Sequence, residues 1–385
     1  MSRKNFIAVS ILLLAAVAFA DDKPTTRPAE KPATQPAEVD WDKARSLYQR
    51  DQRGDKLTAA EQAYLDHAKD VRQKMQRAGG PANVRGNPAT GPAMAPRDST
   101  GLVPLTQLTG ENKYKGMEGG LYGRGQNSPP EKLLKAALGL AAKIQPLDAS
   151  GYPAKTGKVV LMSLGMSNTT MEFSRFKQMA DRDAAKSPAL LIVDGAQGGQ
   201  DAVKWDTTAD KSPWSIADAR LTEAGASPHQ VQVIWIKQAI AGAGNLGEFP
   251  KHSDELKRHL ESTIQLAKKR YPNLQLVYLS SRIYAGYAST RLNPEPYAYE
   301  GAFSVRGVID DEQKLKLAAP IALWGPYFWA DGIKGRELDS LVWKREDLAA
   351  DGTHPSDTGR QKVAELLLNF FKTDPTAKGW FSGAP

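Results

Sequence analysis

Three side chains in this sequence have the types and context for acyl-transfer chemistry. Ser167 stands in "LGMSNT", and Asp351 and His354 stand three apart in "DGTHPS". A serine hydroxyl is a weak nucleophile until a histidine takes its proton. An aspartate bonded to the far ring nitrogen holds that histidine and stabilises its charged form. The chain has only five histidines, so a histidine three residues after an aspartate needs a reason. Helix packing does not supply one. Val363, Leu366, Leu367, Phe370 and Phe371 make an apolar stripe at helical period, with Ser356 and Asp357 as N-cap types behind Pro355. Asp351 and His354 lie in the loop before that helix. The other histidines have no metal-spaced partner: His67 and His259 read as solvated helix residues, His229 precedes a strand and His252 precedes a helix.

The elements that must position these groups alternate along the chain. Apolar runs at 158–165, 189–195, 231–237, 274–281 and 319–325 read as buried strands. Helical patterns follow at about 166–181, 215–225, 253–271 and 298–318. This predicts a doubly wound three-layer α/β/α domain with a parallel five-stranded sheet over residues 151–381. Ligands bind such sheets at the carboxyl ends of the strands. Ser167 follows the first strand, the glycines of "DGAQGGQ" follow the second, and Lys237 and Gln238 end the third. A helix N-terminus at Ser167 favours developing negative charge. Glycine lets a backbone N–H approach an oxyanion closely.

The serine after the first strand, the Gly-rich second block and the C-terminal D-x-x-H before the last helix resemble the SGNH (GDSL-type) hydrolase superfamily over residues 155–372. The resemblance implies a flavodoxin-like fold and ester hydrolysis, often of acetyl esters on carbohydrates or lipids. By position it implies Ser167 as nucleophile, His354 as general base and Asp351 as its orienting partner. Gly199, or Gly198, would supply an oxyanion N–H beside that of Ser167. The chain departs from the family at two places. Met166 stands where the first block has an aspartate, and the asparagine of the third block is missing. Gln238 has the right donor group to replace that asparagine; Asn168 and Asn245 are the other options.

The flanking sequence bounds the rest. Residues 1–20 read as a signal peptide, with Arg3 and Lys4, a short apolar run and an A-x-A site, so the chain reads as exported, periplasmic or extracellular, without a membrane span in its mature form. Residues 21–40 read as a disordered Pro-rich linker, 41–78 as a helical hairpin, 79–100 as a Gly/Pro linker and 101–150 as an N-terminal extension packing on the core. "DQRGDKLTAAE" misses calcium-loop spacing. With no cysteine there is no disulfide and no thiolate chemistry, and no cofactor or metal motif is present. The net charge of +8 is spread among acids rather than clustered, which argues against nucleic acid as a partner. No residue points to a protein partner.

Aromatic residues gather late in the chain, Tyr284, Trp324, Tyr327 and Trp329 among them. They could line a groove for sugar rings or form a secondary core under long loops. The sequence thus points to an exported serine esterase acting on small-molecule or glycan esters. An O-acyltransferase with the same triad and a non-catalytic glycan binder are the alternatives.

Overall fold

The computed structural model describes residues 39–52, 55–77, 95–208, 213–314 and 318–383. The signal peptide, the linker up to residue 38 and residues 79–94 of the second linker lie outside the described residues. Trp41–Pro385 form one unit; of Met1–Asp40, the other, only Val39 and Asp40 are described.

Helices α1 (Trp41–Gln52) and α2 (Ala59–Arg77) make a hairpin with Ala44, Leu47, Leu65 and Ala68 buried. At the start of α2, Thr58 N–H donates to Glu61 at 2.8 Å and Glu61 N–H donates to the Thr58 hydroxyl at 3.3 Å, a capping box. A short antiparallel pair, β1 (Lys113–Tyr114) and β2 (Met117–Glu118), was not anticipated from the sequence. Helix α3 (Glu131–Ala141) follows.

The α/β part then runs β3 (Val159–Gly165), α4 (Ser167–Ala180), β4 (Leu190–Asp194), α5 (Ala202–Trp205), α6 (Pro213–Glu223), β5 (Val231–Lys237), α7 (Lys251–Arg270), β6 (Leu276–Ser280), α8 (Tyr297–Lys314), β7 (Ile321–Trp324), α9 (Asp357–Thr373) and α10 (Lys378–Ser382). Among the described residues, five strands form one parallel sheet in the order β4-β3-β5-β6-β7. Every residue of β3, β5, β6 and β7 is buried, as continuous apolar runs require when both faces are covered. Helices α4 and α9 pack together on one face, where Phe173 stacks on Trp235, and α7 packs with α8 on the other. From the apolar stripe of α9, Val363, Leu367 and Phe371 are fully buried. Each such side chain contributes about 1.5–3 kcal/mol. That burial fixes the helix whose N-terminus carries the Asp351–His354 loop.

The chain leaves β3 for β4 and returns past β3 to β5, so the strand order reverses between β3 and β5. A doubly wound sheet opens its crevice at that switch point. Ser167 starts α4 there.

The segment before the sheet is bound to the loops past β6 and β7. Arg97 N–H donates to Gly286 O at 2.8 Å, Ser99 Oγ donates to Asp331 at 2.6 Å, and Leu105 N–H donates to the Tyr327 hydroxyl at 3.0 Å. Among the described residues, these contacts reach back to Arg97.

Candidate active site

The turn from β3 into α4 is tightly built. Met166 N–H donates to Thr169 Oγ1 at 3.3 Å, and that hydroxyl donates to Lys237 O at 2.6 Å on the neighbouring strand. A Cβ on Gly165 would lie 2.4 Å from Thr169 Oγ1 and 2.5 Å from Lys237 O, so only glycine fits. Thr169 thus organises the turn although Met166 stands where the family aspartate would be. Ser167 is the first residue of α4 and is partly exposed.

Ser167 Oγ lies 2.8 Å from His354 Nε2, and His354 Nδ1 lies 2.6 Å from Asp351 Oδ2. Asp351 Oδ1 accepts from the backbone N–H groups of Thr353 at 2.9 Å and His354 at 3.0 Å. Burial raises the Asp351 carboxyl, but the His354 ring and these N–H groups outweigh it and hold the group down at about 2. An ionised carboxylate only accepts, so Nδ1 carries the proton and Nε2 is free to accept from the Ser167 hydroxyl. The strand order, the serine after β3 and the hydrogen-bonded chain from Ser167 through His354 to Asp351 lie at one edge of the sheet. The resemblance to SGNH hydrolases holds for the fold.

The oxyanion candidates divide. Gln197 N–H donates to Gly165 O at 3.0 Å and ties the second block to the end of β3. Gly199 has φ +75°, and a Cβ at Gly198 or Gly199 would meet open space. Among the described residues neither of these N–H groups has a protein acceptor. Gln238 is buried just past β5, and both polar atoms of its amide lack a partner. Asn168 is not available: its Nδ2 donates to Thr353 O at 2.9 Å. Asn245 is exposed in a short 3-10 turn, Ala243–Leu246.

Buried charge behind Ser167 was not foreseen. Lys237, the last residue of β5, is fully buried and paired with Glu172 of α4. Burial pulls Lys237 down to about 8 and pushes Glu172 up, each against the attraction of its partner. Arg282, two residues past β6, is also buried, and it donates to Thr353 O at 3.1 Å. Its only sequence signal was an arginine at the carboxyl end of a strand.

The sugar-groove expectation is corrected. Tyr284, Trp324, Tyr327 and Trp329 are all at most 5% exposed. Tyr284 OH donates to Arg97 O at 2.8 Å, Trp324 Nε1 to Leu121 O at 2.6 Å and Trp329 Nε1 to Glu295 at 2.8 Å. These rings form the secondary core, because each can bury its apolar body only where its polar atom meets a partner. His259 is likewise buried rather than solvated, with Nδ1 2.8 Å from Asp206. Among the described residues no helix is long and apolar enough to cross a membrane, and no three His, Cys, Asp or Glu side chains cluster as a metal site.

No family model and no curated protein matches the chain. Among solved structures it is similar to a GDSL-like lipase from Bacteroides thetaiotaomicron, at 15% identity, covering 62% of this chain and 95% of that one, with a TM-score of 0.34. It is also similar to the periplasmic domain of a lipopolysaccharide acetyltransferase from Salmonella Paratyphi A, at 14% identity, covering 62% and 94%, with a TM-score of 0.35. A protein of Arabidopsis thaliana overlaps at 14% identity, covering 54% and 68%, with a TM-score of 0.30. Overlaps this loose say nothing about chemistry.

Proposed function

We propose that the protein is an exported serine esterase that hydrolyses carboxylic esters, acetyl esters first among them, through an acyl-enzyme on Ser167. One observation carries the reading: Ser167 Oγ is 2.8 Å from His354 Nε2, and that ring is anchored at 2.6 Å by Asp351. Ser167 Oγ attacks the ester carbonyl carbon while its proton passes to His354 Nε2. Asp351 stabilises the imidazolium. The tetrahedral oxyanion collapses, the alcohol leaves with the proton from His354, and water repeats the sequence to release the acid. The Ser167 N–H, the Gly199 N–H (with Gly198 as the other option) and the unpaired amide of Gln238 are the donors for the oxyanion. One such donor is worth about 100- to 1000-fold in rate. Export rests on the signal-peptide pattern of residues 1–20. With the four aromatic rings in the core, they no longer favour a sugar over another alcohol.

The test is turnover of 4-nitrophenyl acetate by the purified protein and by Ser167→Ala and His354→Ala. Turnover in the wild type that vanishes in both variants supports the mechanism. A folded wild type that turns over neither this ester nor acetylated sugars sinks it.

A further inference from the structure

The peptide bond between Thr353 and His354 is held from both edges. Its N–H, on His354, donates to Asp351 Oδ1 at 3.0 Å. Its carbonyl, on Thr353, accepts from Asn168 Nδ2 at 2.9 Å and from the Arg282 guanidinium at 3.1 Å. This bond is not among the cis peptides, and a trans peptide is planar with N–H and C=O on opposite edges. Donors on the carbonyl therefore set the plane whose other edge carries the bond to the triad carboxylate.

The two donors come from the elements that matter. Asn168 is the neighbour of Ser167 in α4, and Arg282 lies two residues past the inner strand β6. Both are buried, so water does not compete for the carbonyl. Among the described residues that carbonyl is the one hydrogen-bond acceptor Arg282 reaches, and its Nε has no partner. A buried guanidinium ordinarily takes a carboxylate in fork geometry. Arg282 instead grips a neutral backbone oxygen next to His354. The other polar groups of Thr353 are also engaged: its N–H donates to Asp351 at 2.9 Å and its hydroxyl lies 2.9 Å from that of Thr290.

We propose that Asn168 and Arg282 are positioning residues that aim the His354 ring at Ser167 through the Thr353 carbonyl. The inference rests on the reading of Ser167 and His354 as nucleophile and base. Releasing the carbonyl frees the peptide plane to rotate and carries Nε2 with it; a misplacement of about 1 Å costs on the order of 100-fold in rate.

The experiment uses the full-length protein with Asn168→Ala, Arg282→Lys, Arg282→Met and the Asn168→Ala/Arg282→Lys double variant. Kinetics on 4-nitrophenyl acetate are normalised to active sites titrated with a fluorophosphonate, and Tm is recorded alongside. Asn168→Ala should lower kcat about 10- to 100-fold with KM within about twofold, on the positioning argument above. Arg282→Lys, which keeps an N–H donor, should lose less than Arg282→Met. The double variant should lose less than the product of its single variants, because both act on one oxygen. Variants that lose Tm or active fraction while kcat per titrated site stays at the wild-type value overturn the proposal, and so does multiplicative loss in the double variant. A wild type inert to both ester and fluorophosphonate is a different result: it removes the esterase reading, and the positioning role with it.

Discussion

The carbonyl oxygen of Tyr287 lies 1.8 Å from the point a Cβ on Gly352 would occupy. Gly352 also sits at φ +63°, and it separates Asp351 from Thr353 and His354. The glycine of "DGTH" is therefore fixed by two independent constraints. Gly352→Ala should lose about 2 kcal/mol or more from the left-handed backbone and the clash. It should also lower kcat, because the loop that moves is the one holding His354 against Asp351. Chemical denaturation and steady-state kinetics on the same preparation check both. An Ala variant of wild-type stability and rate would mean the loop is far softer than its contacts imply.

Gln238 separates stability from activity. Its buried amide has no protein partner, and an unmade buried hydrogen bond costs about 1–3 kcal/mol. Gln238→Met removes that cost at similar volume. The variant should be as stable as the wild type or more so, while kcat falls about 100- to 1000-fold if the amide serves the oxyanion. A stable variant with unchanged kcat would remove Gln238 from the site.

His252 predicts a pH dependence away from the site. It is fully buried on α7, neither ring nitrogen has a hydrogen-bond partner, and its Nδ1 is 3.8 Å from Glu300 on α8, which also holds Tyr114 and Lys115. Burial lowers His252 to about 4, against the pull of Glu300. The folded value lies below the unfolded one, so the unfolded state binds more protons between pH 4 and 6.5. Stability should rise with pH across that window, and the cost should be complete below about pH 4. The span is worth about 3 kcal/mol. Denaturation of wild type and His252→Phe at several pH values should give a stability difference that is constant above about pH 6.5 and shifts against the wild type below it. Parallel curves would refute the assignment.

Tyr284 tests the buried-ring reading. Tyr284→Phe removes the donor to Arg97 O and should cost about 1 kcal/mol of stability. KM for any ester substrate should stay within about twofold, as expected of a ring with no contact to substrate. A KM change well beyond that, without a stability loss, would return the ring to a binding role.

What the sequence disclosed depended on range. The strands were readable because burial on both faces leaves uninterrupted apolar runs such as "VQVIWIK". The D-x-x-H before α9 was readable because its spacing is local and the α9 stripe already accounted for the apolar residues behind it. The aromatic rings were not, since a tyrosine in a core and one in a groove look alike until partners 200 residues away are known, as with Trp324 and Leu121. Arg282 and His259 were hidden for the same reason: an isolated charged residue reads as solvated, and only the fold brings Thr353 or Asp206 to it.

The segment from Arg97 to Leu121 completes the aromatic core. The hydroxyl of Tyr284, the indole N–H of Trp324 and the hydroxyl of Tyr327 all find their partners between Arg97 and Leu121. A chain cut at the start of the sheet would leave three buried polar atoms stranded and a wall of aromatic surface facing water. The smallest piece able to fold by itself is thus longer at its N-terminal end than the strand pattern suggests, and domain exchanges should be spliced ahead of Arg97.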